Sequence, residues 1–205
     1  MSQKTEITFQ IFQNINEIKK QLVSLGYEET EEFTGCDTYF TTLRSNEINS
    51  ASYKDLLDSS IIIRSFKTKG KSELTNLMVF KNKILDNNNN VISEEKISTQ
   101  ISDLNSTKRI LSAAKLNNWL TLKQQNAFYK LNNITITVGT VEGLNGSFME
   151  IEEFDDIKHL TPQQKIEYLK QFAENLHFNM GSDFSVKKAY MLFQQNKNEQ
   201  TKKAR

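Results

Sequence analysis

Residues 134–153, ITITVGTVEGLNGSFMEIEE, decide how this chain is read. Ile134, Ile136 and Val138 alternate with Thr135 and Thr137, the period of a half-buried strand. Gly143, Asn145 and Gly146 follow, residues that tolerate the positive φ a tight turn demands. A second strand, Phe148 to Glu152, then places Glu150 and Glu152 on one face and Met149 and Ile151 on the other. Two carboxylates side by side repel. Either they form an exposed acidic face, or a metal ion or a lysine-rich neighbour sits between them.

Outward from this hairpin the pattern is strand-rich, with helices interspersed. Thr5–Phe12 predicts a first strand with Glu6, Thr8 and Gln10 on one face. A helix from about Asn14 carries Ile15, Ile18, Leu22 and Leu25, and Gly26 ends it. Further strands are expected over Phe33–Leu43, Ser60–Phe66, Asn76–Lys83 and Ile92–Ser102, with a loop or short irregular helix over Arg44–Asp58 and a turn at Asn87–Asn90. Ser106 is the expected cap of a helix running to about Asn117. Trp119–Leu122 and Asn126–Leu131 are two more strand candidates, and Thr161-Pro162-Gln163-Gln164 has the spacing of a capping box with proline at the first helical position. Phe184–Phe193 fits either a strand or a final helix. The polar segment 194–205 is expected to lack structure, which leaves residues 1–193 as a single domain. Antiparallel strands joined by hairpins predict a closed or strongly curved sheet.

Composition narrows the function. The chain has 205 residues and a formal net charge of +1, so no global field favours duplex nucleic acid or an anionic membrane. Arginine occurs only at positions 44, 64, 109 and 205, which limits bidentate grips on phosphate. A lone cysteine, Cys36, excludes an internal disulfide and a cysteine-based zinc site, and His159 and His177 are too few for a histidine metal centre. No apolar run reaches membrane-spanning length and the N-terminus lacks a signal-peptide layout, so a cytoplasmic location is expected.

Several motifs, in order, resemble the CYTH family of triphosphate tunnel metalloenzymes, which includes class IV adenylyl cyclases and thiamine triphosphatases. The turn Gly143-Leu144-Asn145-Gly146 followed by Phe148-x-Glu150-x-Glu152 is similar to the family's glycine-leucine turn and its acidic strand. Leu25-Gly26-Tyr27, Asp37-Thr38-Tyr39-Phe40, Ile61-Ile62-Ile63-Arg64 and Met78-Val79-Phe80-Lys81 resemble its other signatures, and together they cover roughly residues 5 to 190.

The resemblance implies an α+β protein built on an eight-stranded antiparallel barrel with a polar interior and flanking helices. Its ligand would be a nucleotide or other organic triphosphate, held with Mg²⁺ or Mn²⁺; no duplex nucleic acid and no membrane is expected as partner, and a homodimer stays open. Arg64, Lys81, Lys123 and Lys188 would bind phosphate, with Lys83 and Lys187 as weaker candidates. Glu6, Glu150 and Glu152 would hold metal, and Glu150 and Glu152 would serve as the catalytic carboxylates that position it. Carboxylate oxygens suit these hard ions, and a strand presents them at alternate positions.

The departures matter as much. Thr8 and Gln10 stand where the family has a second glutamate and a lysine, and Gly139 stands where an aspartate is expected. Lys123-Gln124-Gln125 lacks an expected arginine, and Glu94, Lys96, Ser98 and Gln100 share a face that usually carries two acids. Metal-dependent triphosphate hydrolysis or nucleotide cyclisation is the activity implied. Losing several charges together favours, as the alternative, a less charged ligand or a module that binds without turnover. An interaction scaffold with no ligand is the third reading.

Overall fold

The computed structural model describes residues 4–57, 60–85 and 91–203. The Asn87–Asn90 turn lies outside them, as does the side chain of Lys83. Its strands are β1 (Glu6–Ile11), β2 (Glu28–Thr41), β3 (Ser60–Thr68), β4 (Leu74–Leu85), β5 (Val91–Gln100), β6 (Asn117–Leu131), β7 (Ile134–Val141) and β8 (Ser147–Glu152). They form one antiparallel sheet in the order β1-β8-β7-β6-β2-β3-β4-β5. The sheet curls until its two edges approach: the Lys4 and Glu94 backbones exchange hydrogen bonds of 3.3 and 3.0 Å. Farther along the free edge of β1, residues 179–186 take over, with Phe184 and Asn179 carbonyls accepting from Thr8 and Phe12. The result is the expected α+β architecture, an eight-stranded half-barrel with flanking helices.

Alternation along the strands decides what lies within the curl. On β1, Ile7, Phe9 and Ile11 face outward and are buried beneath α1 (Ile15–Ser24) and α5 (Pro162–Glu174), together with Ile136, Val138, Met149 and Ile151. Each such side chain contributes roughly 1.5–3 kcal/mol on leaving water. Their neighbours Glu6, Thr8, Thr137, Glu150 and Glu152 therefore face inward, where they line a cavity. The usual order is reversed: the core lies on the sheet's convex side, and the concave side is polar. Gly143 and Gly146, at φ +91° and +81°, make the β7–β8 turn that brings the two strands into register.

One end of the concave side has an apolar floor. Leu56 and Leu57 of α3 (Tyr53–Leu57) and Ala189, Leu192 and Phe193 of α6 (Lys188–Lys203) pack with Trp119, Leu122 and Phe148. The described part of the Arg44–Asp58 segment, up to Leu57, thus contains two short helices, α2 (Ser45–Ile48) and α3, and the Phe184–Phe193 segment bridges Thr8 through Ser185 before turning helical at Lys188. That helix continues through Gln194–Lys203, a stretch that composition alone leaves without structure. Packing of its first turns supplies the nucleus, and polar helix formers extend it. Lys197 Nζ also donates to the Asn49 carbonyl at 2.7 Å.

Two other expectations shift. β6 is one strand of 15 residues rather than two pieces, because its polar middle needs no turn: Gln124 faces the cavity while Lys123 faces out. α4 (Leu104–Ala113) begins two residues before Ser106, since the Asp103 carboxylate accepts the Ser106 N–H at 2.9 Å and is the cap. α5 begins as expected, with Thr161 and Gln164 forming a capping box ahead of Pro162.

Candidate functional site

The cavity inside the curl has a volume of about 390 Å³. It has three walls of different character. Arg64, Lys81 and Lys96 project from the consecutive strands β3, β4 and β5 and make a cationic wall. Glu6 on β1 and Glu150 and Glu152 on β8 make an acidic one, with Glu6 directly opposite Glu152 in the register. Between them, by way of β7 and β6, Thr137, Asn126 and Gln124 are polar and uncharged.

The charges are paired across these walls. Arg64 donates twice to Asp37, Nε to Oδ1 at 2.8 Å and Nη2 to Oδ2 at 2.6 Å, a bidentate contact with an acid whose side chain is 2% exposed. Lys188, first residue of α6, sits 2.5 Å from Glu150 and 3.5 Å from the Gln124 amide oxygen. Lys81 meets Glu94 at 2.7 Å, and Lys4 meets Glu152 at 3.1 Å. Lys96 has no carboxylate at ion-pair distance among the described residues.

Electrostatics follow from that layout. Burial pushes the Glu150 carboxyl up, but Lys188, then Lys81 and Arg64, outweigh it and hold the group below the ordinary glutamate value. Glu150 is therefore ionised at neutral pH and a weak proton acceptor. Burial works against the charged Lys81 ammonium, yet Glu6 and Glu94 together raise it well above the ordinary value. Burial likewise works against the Arg64 guanidinium, and Asp37 overrides it. Lys96 moves the other way: burial, then repulsion from Lys81 and Arg64, lowers it. An anion arriving between these three cations would relieve that repulsion.

The structure brings together Glu6, Arg64, Lys81, Glu150, Glu152 and Lys188, and Lys187 also lines the cavity. It does not bring Lys123. Lys123 lies opposite Cys36 on the outer face and meets Glu142 at 3.1 Å, with side chains 61% and 69% exposed. The reason is strand parity: one residue's shift on β6 exchanges inside for outside, and Gln124 holds the inner position. Lys123→Ala is accordingly expected to leave phosphate-ligand affinity unchanged within twofold in calorimetry. Asp37 and Lys96 are the residues that motif reading missed as site members. Lys96 was signalled by its alternation with Glu94, and Asp37 by its place two residues before Tyr39 on the inner face.

The acidic wall has the right donor chemistry for Mg²⁺ or Mn²⁺, hard oxygens on neighbouring strands. Among the described residues, however, no three His, Cys, Asp or Glu converge closely enough to hold an ion by themselves. Mg²⁺ ordinarily takes one or two carboxylates and completes its shell with waters and phosphate oxygens. The residues thus fit an ion held jointly with a phosphorylated ligand, and not one held by protein alone.

A curled antiparallel sheet with cations and carboxylates on its concave face is an architecture of the tunnel type. The CYTH domain model matches residues 5–186, and the chain belongs to the CYTH family. In solved structures, the PH1819 protein of Pyrococcus horikoshii OT3 is similar at 19% identity and TM-score 0.66, over 94% of this chain and 99% of that one. HpAC1 of Hippeastrum, described with a dominant triphosphatase activity, is similar at 11% identity and TM-score 0.60, over 94% and 96%. A chain of the Schizosaccharomyces pombe Mediator head module has the same fold at 8% identity and TM-score 0.55, over 87% and 98%. No curated protein sequence matches the chain. Among the described residues no helix is long and apolar enough to cross a membrane.

Proposed function

We propose that the cavity binds a nucleotide or other organic triphosphate together with Mg²⁺ or Mn²⁺, and that the protein turns this ligand over by hydrolysis or cyclisation in the cytoplasm. The observation that carries the reading is the cationic wall: Arg64, Lys81 and Lys96 crowd one side of a small cavity and repel one another in the absence of an anion. A polyphosphate chain laid along it would meet three cations on three strands, with Lys188 reaching from the floor. Asp37 would hold the plane of Arg64 as a positioning residue. Glu150 and Glu152, with Glu6, would hold the divalent ion, which neutralises charge on the phosphoryl oxygens as the reaction proceeds. Because Glu150 stays ionised and weakly basic, its part is charge placement and not proton abstraction. In hydrolysis, water adds to the terminal phosphorus as its bond to the bridging oxygen breaks. In cyclisation, the ribose 3′-hydroxyl adds to the α-phosphorus and pyrophosphate leaves.

The second reading is a module that binds without turnover, favoured by the uncharged wall of Thr137, Asn126 and Gln124 and by Thr8 beside Glu150. Purified protein incubated with ATP, GTP or inorganic triphosphate, each with Mg²⁺ or Mn²⁺, separates the two. Metal-dependent product establishes the enzyme, and its identity, phosphate or cyclic nucleotide plus pyrophosphate, chooses the reaction. No product with a ligand-dependent rise in Tm establishes the binder. Combining Glu150→Gln with Glu152→Gln is expected to lower Mn²⁺-dependent turnover at least ~100-fold while the far-ultraviolet circular dichroism is unchanged. Full activity in that double variant would remove the acidic wall from the mechanism.

A further inference from the structure

Three phenylalanines cluster on neighbouring strands at the cavity. Phe33 on β2 is 5.6 Å from Phe66 on β3 and 5.3 Å from Phe128 on β6, with ring planes inclined at 61° and 44°. All three are half-buried, and none belongs to the hydrophobic cores of the described residues. Phe33 and Phe128 line the cavity.

Register places the rings beside the phosphate grip. Asp37 lies opposite Arg64 and Gly35 opposite Phe66, so the aromatic group begins two residues from the Arg64–Asp37 pair, about 7 Å along the same face. Gly35 adds no side chain to the space between them; a Cβ there would lie 3.3 Å from Phe66 Cβ and 3.9 Å from the Phe33 ring. Asn126, opposite Phe33 and also lining the cavity, carries an amide that can both donate and accept at the edge of a flat ligand. On the outer face of β1, β7 and β8, apolar side chains are covered by helices. On the inner face the three rings pack on one another beside polar cross-strand neighbours, Asn126, Glu31 and Thr75, and stay half-buried, so covering them with a planar apolar group would be favourable.

We propose that Phe33, Phe66 and Phe128 form the subsite for the organic group of the ligand, and that this group is a planar aromatic heterocycle of the nucleobase type. The inference rests on the phosphate-binding reading above, since the Arg64–Lys81–Lys96 wall would hold the other end of the same molecule. Inorganic triphosphate would fill the wall and leave the rings open. A nucleoside triphosphate would fill both.

The test uses the full chain, Mg²⁺, inorganic triphosphate, ATP, GTP and UTP, with affinities measured by calorimetry. Phe33→Leu keeps an apolar side chain of similar size and removes the ring. At least one nucleotide should bind the wild type more tightly than inorganic triphosphate does. Phe33→Leu should weaken that nucleotide about tenfold and leave inorganic triphosphate unchanged. Phe128→Leu should act in the same direction, which guards against a local fault of one variant. Equal affinities for inorganic triphosphate and all three nucleotides would overturn the subsite while the phosphate wall stands. So would an unchanged nucleotide affinity in both variants. If neither inorganic triphosphate nor any nucleotide binds, the phosphate-binding reading falls and the subsite with it.

Discussion

Gly139→Ala is expected to destabilise the protein by about 3 kcal/mol or more, read as a lower urea midpoint at unchanged slope. Gly139 faces inward on β7, opposite Asn126 on β6 and Phe148 on β8. A Cβ at this position would lie 2.8 Å from Asn126 Cγ and closer still to Asn126 Oδ1 and the Gln125 carbonyl oxygen. The Asn126 side chain is 6% exposed and the Gln125 carbonyl is part of the β6 backbone, so neither has free space to yield. Gly139→Asp, which would restore the acid expected from the family resemblance, meets the same obstacle with a larger side chain. Adding Asn126→Ala should recover part of the loss and not all of it, because the backbone carbonyl remains. Stability of Gly139→Ala within 1 kcal/mol of wild type would show that the two strands separate there without cost. An uncharged amide from the next strand thus occupies the space that a side chain at position 139 would need.

Much of this site was legible because strands alternate. Glu6, Glu150, Glu152, Arg64 and Lys81 share the cavity as their spacing required, and the same parity put Glu94 and Lys96 on one face. Parity failed at Lys123 because nothing in Lys123-Gln124-Gln125 says which polar residue faces in. That choice is made by pairing with β2, where Asp37 is opposite Leu122 and Cys36 opposite Lys123, and pairing is a non-local property. The same limit hid the aromatic subsite. Phe33, Phe66 and Phe128 lie far apart in sequence, and each reads as an ordinary strand residue until β2, β3 and β6 are neighbours. The extension of the final helix beyond Phe193 was illegible for another reason: its order comes from Ala189, Leu192 and Phe193 packing in the cavity floor, not from the polar residues beyond Gln194.

Arg64→Leu should give the other large effect, and it should appear in stability before any ligand is added. The Asp37 side chain is 2% exposed, and Arg64 supplies it with both short hydrogen bonds. The other hydrogen bond to the carboxylate among the described residues comes from the Gln124 amide, at 3.4 Å, too long to replace them. Removing the guanidinium leaves a nearly sealed carboxylate without its counter-ion, a change that costs about 3–5 kcal/mol in comparable buried pairs. Urea denaturation at neutral pH would measure it. Asp37→Asn placed on top of Arg64→Leu removes the stranded charge and should recover a substantial part of the loss, whereas Asp37→Asn alone should leave Arg64 with the attraction of Glu150. Arg64→Lys keeps the charge without the planar fork and should fall between wild type and Arg64→Leu. The double variant, once stable, isolates the ligand question. With inorganic triphosphate and Mg²⁺ it should bind more weakly than wild type although its fold is restored, since the cationic wall has lost one of its three members. Unchanged affinity in the restored double variant would mean that Arg64 is present to satisfy Asp37 and does not touch phosphate, leaving Lys81 and Lys96 as the grip.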